Sequence, residues 1–493
     1  MPSSAPRLLL LGLTGLLAPN LSAQQAEPFE EAPIKYSATE AKDRATALNA
    51  AHQARANAIR SLPAKKRLQW LLDEFKVPAE SQLFVFSKTS LQRDLITPET
   101  PRVLYFSDEA YVGWAPTGAF EVTVFDPQLG AMFYVLDAHE TGPAPLLVRD
   151  NDCLLCHARH EHTPTLRTRS VFPDARGEPL GGSGGANIAP STPLEERWGG
   201  WYVTGGGPGL RHRGNLTGRK IEDFEGPSSQ PTRNLTSLEG IVDTRRYLLK
   251  TSDVVPLLLH DHQVHVHNVI STALQDARIA LHRWPAMRAI LGLPDDAPPQ
   301  GSCLVVFESQ AEKILDALLC RDETPWPADA LRSDGVFAAA YAKSRKADAQ
   351  GRSLRDLDLR TRLFRYRCSP LIYSESFAHL PPQLREITLL RLSSGLRAFP
   401  PSTSPAIAAL CERAGPGEVG GSGPGVVELE PVLEGAVRPI GEGGLVVGHP
   451  LVDEDRQHRL HVARHHHVLL DFIELEVEDV GQWVFLTHHQ AGG

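Results

Sequence analysis

The sequence predicts an α+β fold in which an antiparallel β meander is followed by a mainly helical region. Three observations carry this. Short β-branched and aromatic runs fill Gln82 to Arg149 with turn residues between them, a long helical pattern follows from about Asp253 to Trp284, and two helix-forming stretches precede both.

Ser37-Ala38-Thr39-Glu40 has the form of a capping box, which places the start of an Ala-rich helix there and its end near Leu62, before Pro63. A second helix, about Lys65 to Phe75, puts Leu68, Leu71, Leu72 and Phe75 on one face. Four strands follow, at 83–86, 103–106, 120–125 and 132–136, separated by Pro98 and Pro101, Pro116-Thr117-Gly118 and Pro127-Gln128-Leu129-Gly130. Residues 177–215 read as loop, with an aromatic segment from Arg197 to Tyr202 between two glycine clusters. Asp253 is a natural N-cap for the long helix, and Pro256 falls in its first turn, where a missing N–H costs little. An Arg-rich helical stretch, interrupted near Pro370 and Pro381-Pro382, is expected over about Ser353 to Leu396.

The chain has 493 residues and a formal net charge of -9, which argues against a nucleic-acid binder. Arg7 precedes an apolar run, Leu8 to Leu17, and Leu21-Ser22-Ala23 offers a small-residue cleavage site. The run is shorter than the about 20 residues a membrane helix needs, so residues 1–23 read as a signal peptide and no membrane span remains after cleavage. The expected location is periplasmic or secreted.

Cys153-Leu154-Leu155-Cys156-His157 carries the chemistry. Two thiols two residues apart can both reach the vinyl groups on one porphyrin edge, and the adjacent His then faces the iron. This reads as covalent attachment of one haem c, with His157 as proximal ligand. A zinc site is the rival, because His160 and His162 lie close by, but all its ligands would crowd into ten residues. A redox dithiol is the other, although this motif follows a meander rather than opening a βαβ helix.

Long mature sequence precedes the motif, and only Met132 and Met287 follow the signal, which excludes a class I cytochrome c fold. The Cys153–His157 motif, Trp198-Gly199-Gly200-Trp201-Tyr202-Val203-Thr204-Gly205 and Arg211-His212-Arg213-Gly214-Asn215 together resemble a group of larger bacterial monohaem c-type cytochrome-like proteins, over roughly residues 80 to 390. The expected organisation is a signal peptide at 1–23, N-terminal helices at 24–80, a haem-bearing α+β domain at 81–400, and a Gly-rich linker with a poorly ordered tail at 401–493.

Function turns on the iron's sixth position: a strong ligand makes an electron carrier, an open face permits catalysis. His262 is the first candidate, on the apolar stripe Leu259, His262, Val266, Val269, Ile270 and Ala273, with His260 and His267 pointing away from it. His212, in a Gly-rich loop between two arginines, is the runner-up; Met132, Met287 and an open iron complete the set. Arg197, Arg211, Arg213, Arg360, Arg362, Arg365 and Arg367 are candidates for the haem propionates, and Trp198, Trp201 and Tyr202 for covering a haem face. The expectation is an exported monohaem cytochrome transferring electrons to or from a redox partner protein. The alternatives are a peroxidase-like haem oxidoreductase and a haem-based small-ligand binding module. Four cysteines remain, 303, 320, 368 and 411, of which Cys303 and Cys320 are the nearest pair for a disulfide.

Overall fold

A computed structural model describes residues 27–396 apart from 140–143, 159–160, 182–184, 208, 225–230 and 328–330. The chain divides into a unit ending at Gly415 and a second, Pro416–Gly493. The segments expected to be a signal peptide, a glycine-rich linker and a tail lie outside the described residues, as does Cys411.

The N-terminal part holds three helices, α1 (Arg44–His52), α2 (Ala56–Arg60) and α3 (Ala64–Glu74). The first starts seven residues beyond the expected cap. Ser37 spends its backbone N–H and hydroxyl on the Glu30 carboxylate. Asp43 and Thr46 form the capping box instead, each side chain accepting from the other's backbone N–H. On α3, Leu68, Leu71, Leu72 and the following Phe75 are buried, as the periodicity predicts.

The sheet is antiparallel and seven-stranded: β1 (Leu83–Val85), β2 (Arg102–Phe106), β3 (Tyr111–Trp114), β4 (Phe120–Asp126), β5 (Gly130–Leu136), β6 (Val148–Arg149) and, after a separate pair β7 (Arg169–Ser170) and β8 (Ala186–Asn187), β9 (Trp201–Tyr202). Its order is β6-β5-β4-β3-β2-β1-β9. Three strands of this sheet were not expected from the sequence. β3 is too short to show alternation, β6 has two residues, and β9 comes from the stretch read as loop. It pairs with β1 through Phe84↔Tyr202 and Val85↔Trp201. Gly200 makes that pairing possible: its φ is +83°, and a Cβ there would sit 2.5 Å from the Ser87 Cβ.

Because cross-strand partners share a face, the registers Val103↔Trp114, Trp114↔Phe120 and Phe120↔Leu136 define one apolar side. The N-terminal helices pack there, with the Arg67 guanidinium over the Phe120 ring and Tyr134 donating to Asp43. The opposite side carries Arg102, Leu104, Tyr111, Gly113, Glu121, Thr123 and Phe133, and faces the rest of the domain.

Beyond β9 the fold is helical: α5 (Val254–Ile290), α6 (Ser302–Leu318), α7 (Val336–Ala342), α8 (Glu375–Ala378) and α9 (Pro382–Leu396). Asp253 caps α5 by accepting from the Val255 N–H. This helix runs 37 residues, about 55 Å, and continues through Pro285 rather than stopping at Trp284. Its first half belongs to the core under the sheet, whereas Val266, Ile270, Ala273 and later residues join a second core with α6 and the C-terminal helices. The expected helix at 353–396 is helical only from Glu375 onward, because Arg345, Arg352 and Ser353 tie into Asp348 and Asp356 in a local knot of turns. The architecture is thus α+β and differs from a class I cytochrome. Among the described residues no helix is long and apolar enough to cross a membrane.

Candidate functional site

The short strand β6 hands the chain to a 3-10 turn at Asn151–Cys153, opened by the Asp150 side chain accepting from the Asp152 N–H. A one-turn helix follows, α4 (Leu154–His157). Of its motif residues Cys156 is exposed, and Cys153 and His157 are half-buried. The two cysteines are not joined to each other.

His157 is oriented by a bond from its ring Nδ1 to the Thr165 carbonyl oxygen, 2.7 Å. A carbonyl only accepts, so Nδ1 carries the proton and Nε2 is left as a free base. The ring packs on Phe133, centroids 4.5 Å apart. Burial lowers its pKa, outweighing the Thr165 bond, so the imidazole is neutral at pH 7.

All three motif side chains open on a cavity of about 460 Å³, within the about 300–1,000 Å³ range of cofactor pockets. Its floor is the second side of the sheet: Arg102 and Leu104 from β2, Tyr111 and Gly113 from β3, Glu121 and Thr123 from β4, and Phe133 from β5. Trp201 closes one flank, its indole N–H donating to the Arg169 carbonyl at 2.7 Å. Leu91 and Leu155 stand exposed at the rim.

Charge crosses this floor. Arg102 on β2 reaches over β3 to pair with Glu121 on β4, passing above Gly113. A side chain there would collide, because its Cβ would lie 2.7 Å from the Arg102 Nη2. Burial pushes the Glu121 carboxyl up, but Arg102 and bonds from Gln92 and Ser90 outweigh that and hold its pKa below the usual value. Arg167 and Arg169 also border the cavity.

The opposite wall is α5. His260 and Val264, one turn apart, line the cavity, and His267, another turn on, accepts from Tyr111 Oη at 2.8 Å while donating to the Asp108 carbonyl. His260 is fully buried among Phe106, Tyr111 and Trp201, with ring centroids 5.3, 5.8 and 5.8 Å away. Its Nδ1 has no hydrogen-bond partner.

The other sequence candidates lie elsewhere. His262 faces away from the sheet, its Nε2 bonded to Ser369 Oγ at 2.8 Å and its Nδ1 4.0 Å from the Cys320 sulfur. His212 is buried in a loop knot, against Trp198 and 3.2 Å from Asn234 Oδ1. Met132 lies in the core on the far side of the sheet, and Met287 packs in the second core. The stripe argument singled out His262 because it assumes one buried face; this half of α5 is buried all round, and the face bearing His260 meets the sheet.

Of the arginines proposed for propionates, none borders the cavity. Arg197 pairs with the buried Asp261, which also accepts from the Trp198 indole at 2.9 Å. Arg213 lies over Phe172 and Arg367 donates to the Cys320 carbonyl. Tyr202 donates to the Pro98 carbonyl, leaving Trp201 as the member of the aromatic segment that covers the cavity. The arginines that do border it, Arg102, Arg167 and Arg169, occupy strand and loop positions with no sequence signature of their own.

The zinc alternative gains no support: His162 Nε2 is committed to Asp276 at 2.8 Å, His160 lies outside the described residues, and no group of three or more potential ligands converges among the described ones. Cys303 and Cys320 form no disulfide. Cys303 lies in the first turn of α6 and Cys320 just past its end, and the helix's length of about 25 Å far exceeds the roughly 7 Å limit between bridged Cα atoms.

The chain matches no protein-family profile, no curated protein and no solved structure.

Proposed function

We propose that this chain is an exported monohaem c-type cytochrome that transfers electrons through a haem bound covalently at Cys153 and Cys156. The observation that carries the reading is the joint placement of the motif and the cavity: Cys153, Cys156 and His157 all line one space of about 460 Å³, and His157 has its Nδ1 committed to the Thr165 carbonyl. The donor set suits the group. Each thiol S–H would add across one vinyl C=C, sulfur to one carbon and hydrogen to the other, while the neutral His157, fixed by Thr165, offers an Nε2 lone pair. Arg167 and Arg169 border the cavity with the positive charge that propionate carboxylates pair with, Arg102 being paired with Glu121. Bound haem supplies a one-electron Fe(III)/Fe(II) couple. The protein's own part is to hold the proximal imidazole in one tautomer and to wall the site with Phe133, Trp201 and the sheet.

The resemblance to larger bacterial monohaem cytochrome-like proteins, carried by the motif residues, points the same way, and so does the N-terminal signal-like segment for a periplasmic or secreted location. A haem oxidoreductase or a small-ligand binding module is favoured by one feature, the polar floor of Arg102, Glu121 and Thr123.

The test is a pyridine haemochrome spectrum of protein exported in a host with cytochrome c maturation. A c-type spectrum that survives denaturing electrophoresis is expected, and Cys153→Ser together with Cys156→Ser should abolish it. Full-length, folded protein without covalent haem would refute the proposal.

A further inference from the structure

We infer that His260 is the second axial ligand of the iron, which would then be held between His157 on α4 and His260 on α5. This rests on the covalent-haem reading above. Among the described histidines, His157 and His260 are the two that border the cavity, and they reach it from different elements: His157 from α4, packed on Phe133 of β5, and His260 from α5, packed on Phe106, Tyr111 and Trp201.

His260 is also chemically unfinished. Its two buried neighbours on the same helix are fully used, His262 by Ser369 and His267 by Tyr111 and Asp108. His260 makes no hydrogen bond through either ring nitrogen among the described residues, and its Nδ1 is sealed from solvent. Nε2 is the ring nitrogen not sealed in this way, and coordination to a metal in the adjoining space would use it without any hydrogen bond, Nδ1 keeping the proton.

The surroundings suit a ligand better than an acid–base group. Three aromatic rings enclose the imidazole, and the one hydroxyl among them, on Tyr111, is bonded to His267. The position is rigid, two turns into a helix capped by Asp253, with Val264 packed one turn beyond.

The experiment uses the purified haem protein. The ferric form should be low-spin by electron paramagnetic resonance, with the near-infrared magnetic circular dichroism of a two-imidazole iron, and the ferrous form should not take up CO. His260→Gly should turn the iron high-spin and CO-reactive, and added imidazole should restore the low-spin signal. His262→Gly and His212→Gly should leave it unchanged. A wild-type iron that is high-spin or binds CO directly overturns the assignment while leaving covalent attachment intact, as does a His260→Gly protein that stays low-spin. If the variant fails to accumulate, the wild-type dichroism decides by itself, since any ligand pair other than two imidazoles refutes the proposal. Absence of covalent haem removes both readings at once.

Discussion

Replacing Gly113 by Ala isolates what the charge pair on the cavity floor contributes. Gly113 has no positive φ, so alanine fits its backbone, and a strand residue gains roughly 0.5–1 kcal/mol from Gly→Ala by restricting the unfolded chain. Against this, the new Cβ would lie 2.7 Å from Arg102 Nη2 and 3.2 Å from Glu121 Oε2, so the ion pair must open. Both side chains are 22% exposed, between the surface regime of about 0–1 kcal/mol and the buried one of about 3–5 kcal/mol for breaking a pair. A loss of about 2 kcal/mol is reasonable, giving a net destabilisation of about 1–1.5 kcal/mol in the wild-type background. In a Glu121→Gln background Arg102 is a flexible chain end with nothing to hold it over Gly113. It can swing aside, and alanine should then stabilise by about 0.5–1 kcal/mol. The four proteins form a double-mutant cycle, read by urea unfolding. The decisive feature is the change of sign. An equal cost in both backgrounds would mean that the substitution strains the sheet itself and that the pair does not depend on the glycine.

Three further outcomes follow from the same geometry. Gly200→Ala should destabilise by about 2 kcal/mol or more, because it combines a φ of +83° with a Cβ 2.5 Å from Ser87, and Trp fluorescence during urea unfolding should report the loosened β9; a neutral substitution would contradict the close docking of β9 on β1. His162 has its pKa raised by its bond to Asp276, so its stabilising effect is full below the ordinary His pKa of about 6.5 and disappears as pH rises through the raised value. The melting temperature of wild type should accordingly exceed that of His162→Gln at pH 5.5 and match it at pH 8.5. In protein made without haem, iodoacetamide followed by mass mapping should modify the exposed Cys156 first and Cys153 much later, since burial pushes the Cys153 thiol up to about 12, and the buried Cys303 and Cys320 should react only on unfolding.

The meander, the long helix and the motif were legible because each is written locally: turn residues at intervals, an N-cap before an apolar run, two cysteines and a histidine in fixed spacing. What escaped was set by neighbours distant in sequence. β9 is two residues long and is a strand only because β1 presents a free edge and Gly200 lets the backbones meet. The propionate candidates were chosen for clustering along the chain, whereas Arg102, Arg167 and Arg169 reach the cavity from β2, a loop and β7. His260 was set aside for pointing off the apolar stripe, yet on a helix packed between two layers the polar-looking side is simply the one facing the sheet.

The side of the sheet that faces the cavity is chosen by parity alone. On β4, Glu121 and Thr123 alternate with Phe120, Val122 and Val124, so a slip of one residue against β3 and β5 would exchange the two sets. The cavity would gain an oily floor and the core beneath α1–α3 a buried carboxylate parted from Arg102. The short turns at 107–110, 115–119 and 127–129 therefore act as a clock for the site: a single-residue insertion in any of them leaves every motif residue in place and still leaves the pocket with the wrong chemistry.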